Sequence, residues 1–506
     1  MASLLTASCF ADLSTVADHE IPDIVIEGLE PELRVLYGET VHVEVSVSQE
    51  GRSAADFDIR WSVDLTAGKI KDRIEICEGP VLDYKVSNTP SDRPYALRVD
   101  VTDKQTGLVQ VAWSRLYVST SLGEGILVAY TNDGGKTTEF DIIRNQYITY
   151  AYEGDETQIT RALYSLANEE SLEEKVICMA PVVDTDMETL NETRILLGTS
   201  DHLISIDPLT FKEMSRDATL FQSANQTSYE TTALFNFGSY QAGAIVGGYL
   251  YVIPTILDRV FGQTAFSLQP KNIFNTRNVA YAAYQGGHLA VFDEVHERFF
   301  YVIGNFAHNA SFEELSPEKL SFSLSGCSAV AAGETKGKNL AFIVKDPTGV
   351  NHLCVVDVSG SNPAISSTDV IVDGERFEEA VSIAFCDNAD IFYYATPDAL
   401  YATLFAIGRI STRKVNWMPD SPDEKITSVR QYTQAFKGTQ NLDPSSYPYI
   451  LPTHRLQMII TTYNDKTGEG KIYLRPFNVS TGLFTSKNNG TYGGFGEITA
   501  ICPTFR

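Results

Sequence analysis

Basic residues are in short supply. Only 39 Lys and Arg stand against 65 Asp and Glu in 506 residues, a formal charge of −26. Phosphate backbones attract cations, so this deficit argues against a duplex-binding protein and no nucleic-acid partner is expected. Long apolar runs are missing as well. No stretch of about 18 apolar residues occurs, so no segment reads as a membrane-spanning helix. Histidine is sparse and scattered, with eight residues at 19, 42, 202, 288, 296, 308, 352 and 454. Glu294-Val-His296-Glu297 lacks the second His that would put two ligands on one helical face, so no metal site is expected. Acidic turns such as Asp184-Thr-Asp186 lack the rest of a calcium loop and read as solvated. There is no Gly-x-Ser-x-Gly elbow and no Cys-x-x-Cys, so neither a serine nucleophile nor a redox pair is assigned. The cysteines at 77, 178, 327, 354, 386 and 502 mostly lie in apolar strand contexts and read as buried free thiols. With 65 acids a glycosidase pair cannot be singled out. No catalytic residue and no cofactor are assigned.

What the chain has in quantity is alternation. Hydrophobic residues make up 43% and charged ones 21%, as in globular proteins, and 25 Tyr and 26 Phe lean toward β-structure. From residue 22 onward period-two runs appear: Val41, Val43, Val45 and Val47; Phe57, Ile59, Trp61 and Val63; Tyr95, Leu97, Val99 and Val101; then Val111, Trp113 and Tyr117. Asp103-Lys-Gln-Thr-Gly107 between the last two runs reads as a hairpin turn, with Gly supplying the positive φ. Residues 22–118 are therefore expected to form an immunoglobulin-like β-sandwich, with both Trp61 and Trp113 in its core.

Residues 119–506 are too many for one sandwich and carry weak repeats. Cys327-Ser-Ala-Val-Ala331, Val381-Ser-Ile-Ala384, Ile426-Thr-Ser-Val429 and Ile498-Thr-Ala-Ile501 share a small alternating pattern. Strand–turn–strand passages recur at Ile195 to Ile206 and at Tyr281 to Phe292. At about 50–55 residues per unit, this points to a β-propeller of about seven blades. The last strand, Glu497 to Cys502, is expected to pair with Gly125–Tyr130 and close the ring. A second sandwich or a β-helix is the alternative. Ser311-Phe-Glu-Glu314, with Pro317 behind it, predicts a helix of one or two turns. A second short helical insertion is expected within residues 160–175.

Thr131-Asn-Asp-Gly-Gly-Lys-Thr137 is similar to the Asp-box of sialidase-like propellers, with Thr138 where an aromatic is usual. It reads as turn stabilisation by the Asp133 carboxylate. Near the start, Thr6-Ala-Ser-Cys9 resembles the lipobox of bacterial lipoproteins. Only Leu4-Leu5 precedes it as apolar sequence, so the chain reads as starting at an internal Met, after most of a signal peptide. Residues 1–21 would then be a signal remnant, lipobox and tether, with lipid on Cys9.

These features together resemble the PKD-like lipoproteins of Bacteroidetes, encoded beside uptake systems built from a SusC-type porin and a SusD-type lid. The resemblance rests on Thr6-Ala-Ser-Cys9, on Tyr95-Ala-Leu-Arg-Val-Asp-Val-Thr-Asp-Lys-Gln-Thr-Gly107, and on Gly123-Glu-Gly-Ile-Leu-Val-Ala-Tyr130 running into Asp133-Gly-Gly. It implies a PKD-like sandwich, display on the bacterial outer membrane through a lipid anchor, SusC/SusD-like partners and a non-enzymatic accessory role in capturing peptides or glycans. It supplies no catalytic residues. The alternative is a propeller-fold hydrolase or lyase acting on polysaccharide or peptide, and an adhesion module with a protein partner is a third reading. Loop aromatics stack on sugars or clamp peptides, so Tyr150, Trp417, Tyr447 and Tyr449 are the candidate ligand contacts, each weighed against plain packing.

Overall fold

A computed structural model describes residues 22–67, 69–91, 93–120, 122–184, 192–221, 228–236, 242–252, 267–272, 279–282, 288–303, 311–358, 362–406, 409–435 and 450–505. The chain forms two compact units, Met1–Ser121 and Leu122–Arg506.

In the first unit a five-stranded sheet runs in the order Glu32–Leu36, Val109–Ser119, Tyr95–Asp103, Phe57–Thr66, Lys69–Glu78. A pair of strands, Thr40–Glu44 and Val81–Lys85, packs Val41, Val43, Leu82 and Tyr84 onto the inner face of that sheet. The predicted alternation is what builds this core: Tyr95, Leu97, Val99 and Val101 are all buried, with polar residues between them. Asp103 accepts from the backbone N–H groups of Gln105 (2.8 Å) and Thr106 (3.3 Å), and Gly107 takes φ +71° to close the hairpin.

One strand faces the other way from the expectation. Trp61 is fully buried and donates Nε1–H to the Gly79 carbonyl at 3.0 Å, but Trp113 is 45% exposed. The reason is register. Leu97 lies opposite Ser114 and Tyr95 opposite Leu116, so Ser114, Leu116 and Val118 share the inner face. Trp113 lies opposite Arg98 on the outer face, with the guanidinium groups of Arg73 and Arg98 at 4.7 and 5.1 Å from its ring.

The second unit is a β-propeller. Seven four-stranded antiparallel sheets are present among the described residues. Six of them use four consecutive strands each. The remaining one joins Gly125–Thr131, Glu139–Arg144 and Gln158–Thr160 to the last strand of the chain, Glu497–Thr504, which takes the innermost place. We call this closing sheet blade 1 and number the rest in chain order, so blades 5, 6 and 7 begin at Ser328–Glu334, Ser382–Phe385 and Lys425–Gln431. The closing register pairs Leu127 with Cys502, Val128 with Ile501 and Ala129 with Ala500, with one irregularity after Ala129. Arg161 reinforces the closure, donating from blade 1 to the Gly493 and Gly494 carbonyls on the outer strand of blade 7 at 2.9 and 3.0 Å.

All four copies of the short repeat fall on or at the start of innermost strands. Ala, Ser and Thr recur where the inner strands converge on the axis, as at Ser328, Ala332, Ser382, Ala384, Ser428 and Thr499. A Cβ on Gly333 would stand 2.9 Å from the Phe385 Cβ of the next blade. The hydroxyls join neighbouring blades: Ser382 Oγ accepts from the Val429 N–H at 3.1 Å and donates to the Val429 carbonyl at 3.3 Å.

The longer recurrence does not mark equivalent places. Ile195–Ile206 covers the second and third strands of blade 2, whereas Tyr281–Phe292 covers the first and second of blade 4. The likeness comes from Asp207 and Asp293, which each cap a turn by accepting two backbone N–H groups. Ser311–Glu314 is the outer strand of blade 4 and not a helix. The helical turn comes later, at Pro317–Lys319, where the Ser316 side chain accepts from the Glu318 N–H. A short helix does form at Leu163–Asn168, within the second expected insertion.

The Asp-box-like turn joins two strands of blade 1. Asp133 accepts from the Lys136 and Thr137 N–H groups at 2.9 and 3.0 Å and from the Thr131 and Thr137 hydroxyls at 2.8 Å each, which holds its carboxyl well below the usual range. Gly134 and Gly135 supply φ of +75° and +94°. Asp133→Ala is expected to lower the thermal midpoint of the propeller, and Asp133→Asn, which keeps one acceptor oxygen, to restore part of the loss. Equal midpoints for Asp133→Ala and wild type would remove this role.

Candidate functional site: the central channel and its mouth

An innermost strand pairs on one side only, so part of its backbone N–H and C=O groups face the axis. The channel they enclose holds about 900 Å³. Small residues such as Ser328, Ala332, Ser382, Ala384, Ser428 and Thr499 line its wall.

The turns that follow the inner strands of blades 6 and 7 meet at one end of the channel. There Arg455 Nε lies 2.8 Å from Asp387 Oδ2, with side chains only 24% and 10% exposed. Gln431 Oε1 accepts from the Asp387 N–H at 3.0 Å, and Gln431 Nε2 donates to Asn388 Oδ1 and to the Arg455 carbonyl, both at 2.9 Å. Asn388 donates to the same carbonyl at 2.8 Å. These bonds hold Arg455 at φ +61°, a left-handed conformation that costs a non-glycine residue about 1–3 kcal/mol.

Burial pushes the Asp387 carboxyl up to about 6, with the Arg455 charge opposing the rise, and its Oδ1 has no hydrogen-bond partner among the described residues. A carboxyl raised on folding binds its proton more tightly in the folded state. Asp387 therefore costs stability above about pH 6, and that cost is relieved as the pH falls toward 3.8. Asp387→Asn is expected to flatten this part of the pH dependence. The variant-minus-wild-type difference in unfolding free energy, measured in urea at pH 4.5 and 7.5, should shift in favour of the variant at the higher pH by about 1–3 kcal/mol. A difference independent of pH would contradict the raised carboxyl.

Next to this pair a buried polar chain links blade 7 to blade 1. His454 Nδ1 accepts from the Gln434 N–H at 3.1 Å, and burial lowers the ring to about 3, so it is neutral at pH 7. Gln434 Nε2 donates to Glu124 Oε1, and Gln434 Oε1 accepts from the Leu451 N–H at 2.9 Å. Glu124 Oε2 accepts from the Tyr150 N–H at 2.8 Å.

Of the aromatics singled out from sequence, Tyr150 thus reaches this network through its backbone. Its half-buried ring packs on the core between blades 7 and 1. Trp417, also half-buried, packs edge-to-face on Tyr473 (5.1 Å, 74°) and Phe484 (6.4 Å, 65°) in the core between blades 6 and 7. The two do not come together. Tyr447, Tyr449 and Cys9 lie outside the described residues. The polar residues at the mouth, Asp387, Gln431, Gln434, His454 and Arg455, were missed in the sequence. A signal was available: Asp387 and Gln431 each sit within a few residues of the end of a repeat tetrad.

No group of three or more His, Cys, Asp or Glu side chains able to hold a metal occurs among the described residues. The six described cysteines are free thiols. No known family model matches the sequence, and no curated protein matches it. Several solved structures are similar at low identity. A quinonprotein alcohol dehydrogenase-like protein from Bacteroides thetaiotaomicron is 12% identical, with 96% of this chain and 98% of that one covered, at a TM-score of 0.44. A Lactobacillus plantarum protein is 11% identical over 75% and 99%, at 0.42, and apo AztD from Citrobacter koseri 11% over 88% and 99%, at 0.36. With no TM-score among these above 0.44, the propeller fold of this chain rests on its own seven-sheet topology.

Proposed function

We propose that the protein is a non-enzymatic binding protein whose ligand, a peptide or glycan segment, enters the central channel of the propeller. We propose further that it acts on the bacterial outer membrane, held by a lipid on Cys9, as an accessory to a SusC/SusD-type uptake system. The observation that carries the binding reading is the channel itself. It offers about 900 Å³ behind a wall of short side chains and strand edges, and strand-edge amides and carbonyls are the groups that hydrogen-bond peptide and sugar. The accessory role is supported by the lipobox-like Thr6-Ala-Ser-Cys9 and the sandwich-then-propeller order. Its test is a detergent extract of the native host. Co-purification with a large porin is the expected result, and a free monomer there would remove the partnership.

One observation favours the enzymatic alternative. A carboxyl raised to about 6 beside a channel is poised for proton transfer near neutral pH. Release of reducing sugar or peptide fragments by the wild type, abolished in Asp387→Asn, would establish hydrolysis in place of binding. The binding reading predicts no turnover in either protein.

A further inference from the structure

Within a chain of charge −26, the channel wall runs against the trend. Its described lining carries three cationic side chains, Lys345, Arg430 and Arg455, against one carboxylate, Glu378. Two of the cations are neutralised where they stand. Lys345 Nζ lies 2.8 Å from Glu378 Oε2, and Arg455 pairs with Asp387.

Arg430 differs. Its neighbour Val429 packs into the core between blades 6 and 7, so strand alternation turns Arg430 toward blade 1. There its Nη1 donates to the Ile501 carbonyl on the innermost strand of that blade. This bond fixes the guanidinium across the channel wall. It leaves the Nε–Nη2 edge, whose two parallel N–H groups match the two oxygens of a carboxylate, without a protein partner among the described residues. Arg430 forms no ion pair among those residues, so its charge is not spent on the fold. A guanidinium held at Nη1 by a carbonyl while its forked edge stays open is a pre-organised anion receptor, with less side-chain entropy left to lose.

We propose that Arg430 is the specificity-determining anchor of the channel, and that the ligand presents a carboxylate to it: a uronic-acid unit of a glycan or the C-terminus of a peptide. This rests on the channel being the binding site. Two matched probe pairs test it by calorimetric titration of the full chain: trigalacturonate against its methyl ester, and trialanine against its C-terminal amide. The expected result is binding of the free acid of at least one pair, with its neutral partner about tenfold weaker or worse. That preference should be lost in Arg430→Gln and partly kept in Arg430→Lys, which retains the charge without the fork. Both variants are compared with wild type by thermal melting, and Arg430→Lys carries the comparison if Arg430→Gln melts early. Whichever pair responds identifies the source of the carboxylate. Equal affinity for acid and neutral partner, or a preference unchanged in Arg430→Gln, overturns the anchor and leaves channel binding standing. No binding of any of the four probes overturns the anchor for both proposed sources. Failure of the channel reading itself would appear separately, as failure to bind any member of a broad peptide and glycan mixture.

Discussion

Deleting residues 497–506 is expected to leave no folded propeller. The deleted strand is the innermost member of blade 1, and among the described residues it supplies the one strand ladder between the end of the chain and the first blade, from Gly125↔Thr504 to Thr131↔Glu497 with one irregularity after Ala129. Ile498, Ile501 and Phe505 are buried at 8%, 6% and 5% exposure. At about 1.5–3 kcal/mol for each large apolar side chain buried, their loss alone is about 5–9 kcal/mol. Whole domains are stable by only about 5–15 kcal/mol. The Gly125–Thr131 strand, buried along its length in the intact protein, would be left with an unpaired apolar edge, which invites aggregation. The expected outcome is insoluble protein, or a soluble product whose only cooperative transition belongs to the sandwich. A truncated chain that melts like the full one would contradict closure through this strand.

The second large effect separates the two tryptophans of the sandwich. Trp61→Ala removes a fully buried indole and its bond to the Gly79 carbonyl, and is expected to destabilise that unit by about 3–5 kcal/mol. Trp113→Ala removes an exposed ring that covers two arginines, and is expected to cost about 1 kcal/mol or less. Because the chain divides into two compact units, the loss should appear in the sandwich transition and leave the propeller transition in place. Equal effects of the two substitutions would overturn the register that separates them.

The two tryptophans also show how far the sequence could be read. Period-two alternation locates strands reliably, and Tyr95, Leu97, Val99 and Val101 point inward as it implies. It does not say which phase of an ambiguous strand is buried. In Val111-Ala-Trp-Ser-Arg-Leu-Tyr117 apolar residues fall on both phases, and the hairpin register, not hydrophobicity, decides between them. In the propeller the Ser/Thr-small-apolar tetrads were legible because four inner strands meet the axis with the same small-residue pattern. The middle and outer strands meet varied neighbours, which is why the longer recurrence matched strands of different rank. The candidate site was the least legible part. Glu124, Asp387 and Gln434 are 310 residues apart at the extremes, and only the closure of the ring assembles them. The end of a repeat tetrad lies close to Asp387, but nothing in the sequence links the three positions to one another. Loop aromatics were the visible alternative, and the half-buried rings of Trp417 and Tyr150 pack on apolar surface beside a blade core, the packing role against which each was weighed.

The most direct test of binding without turnover in the channel is native mass spectrometry. The full chain is incubated with a mixture of tryptic casein peptides and pectin and xylan oligosaccharides, then examined for the mass of what it retains. The predicted result is one intact mixture component per protein, unchanged in mass after prolonged incubation. Recovery of shortened products, or of no bound component at all, would contradict it.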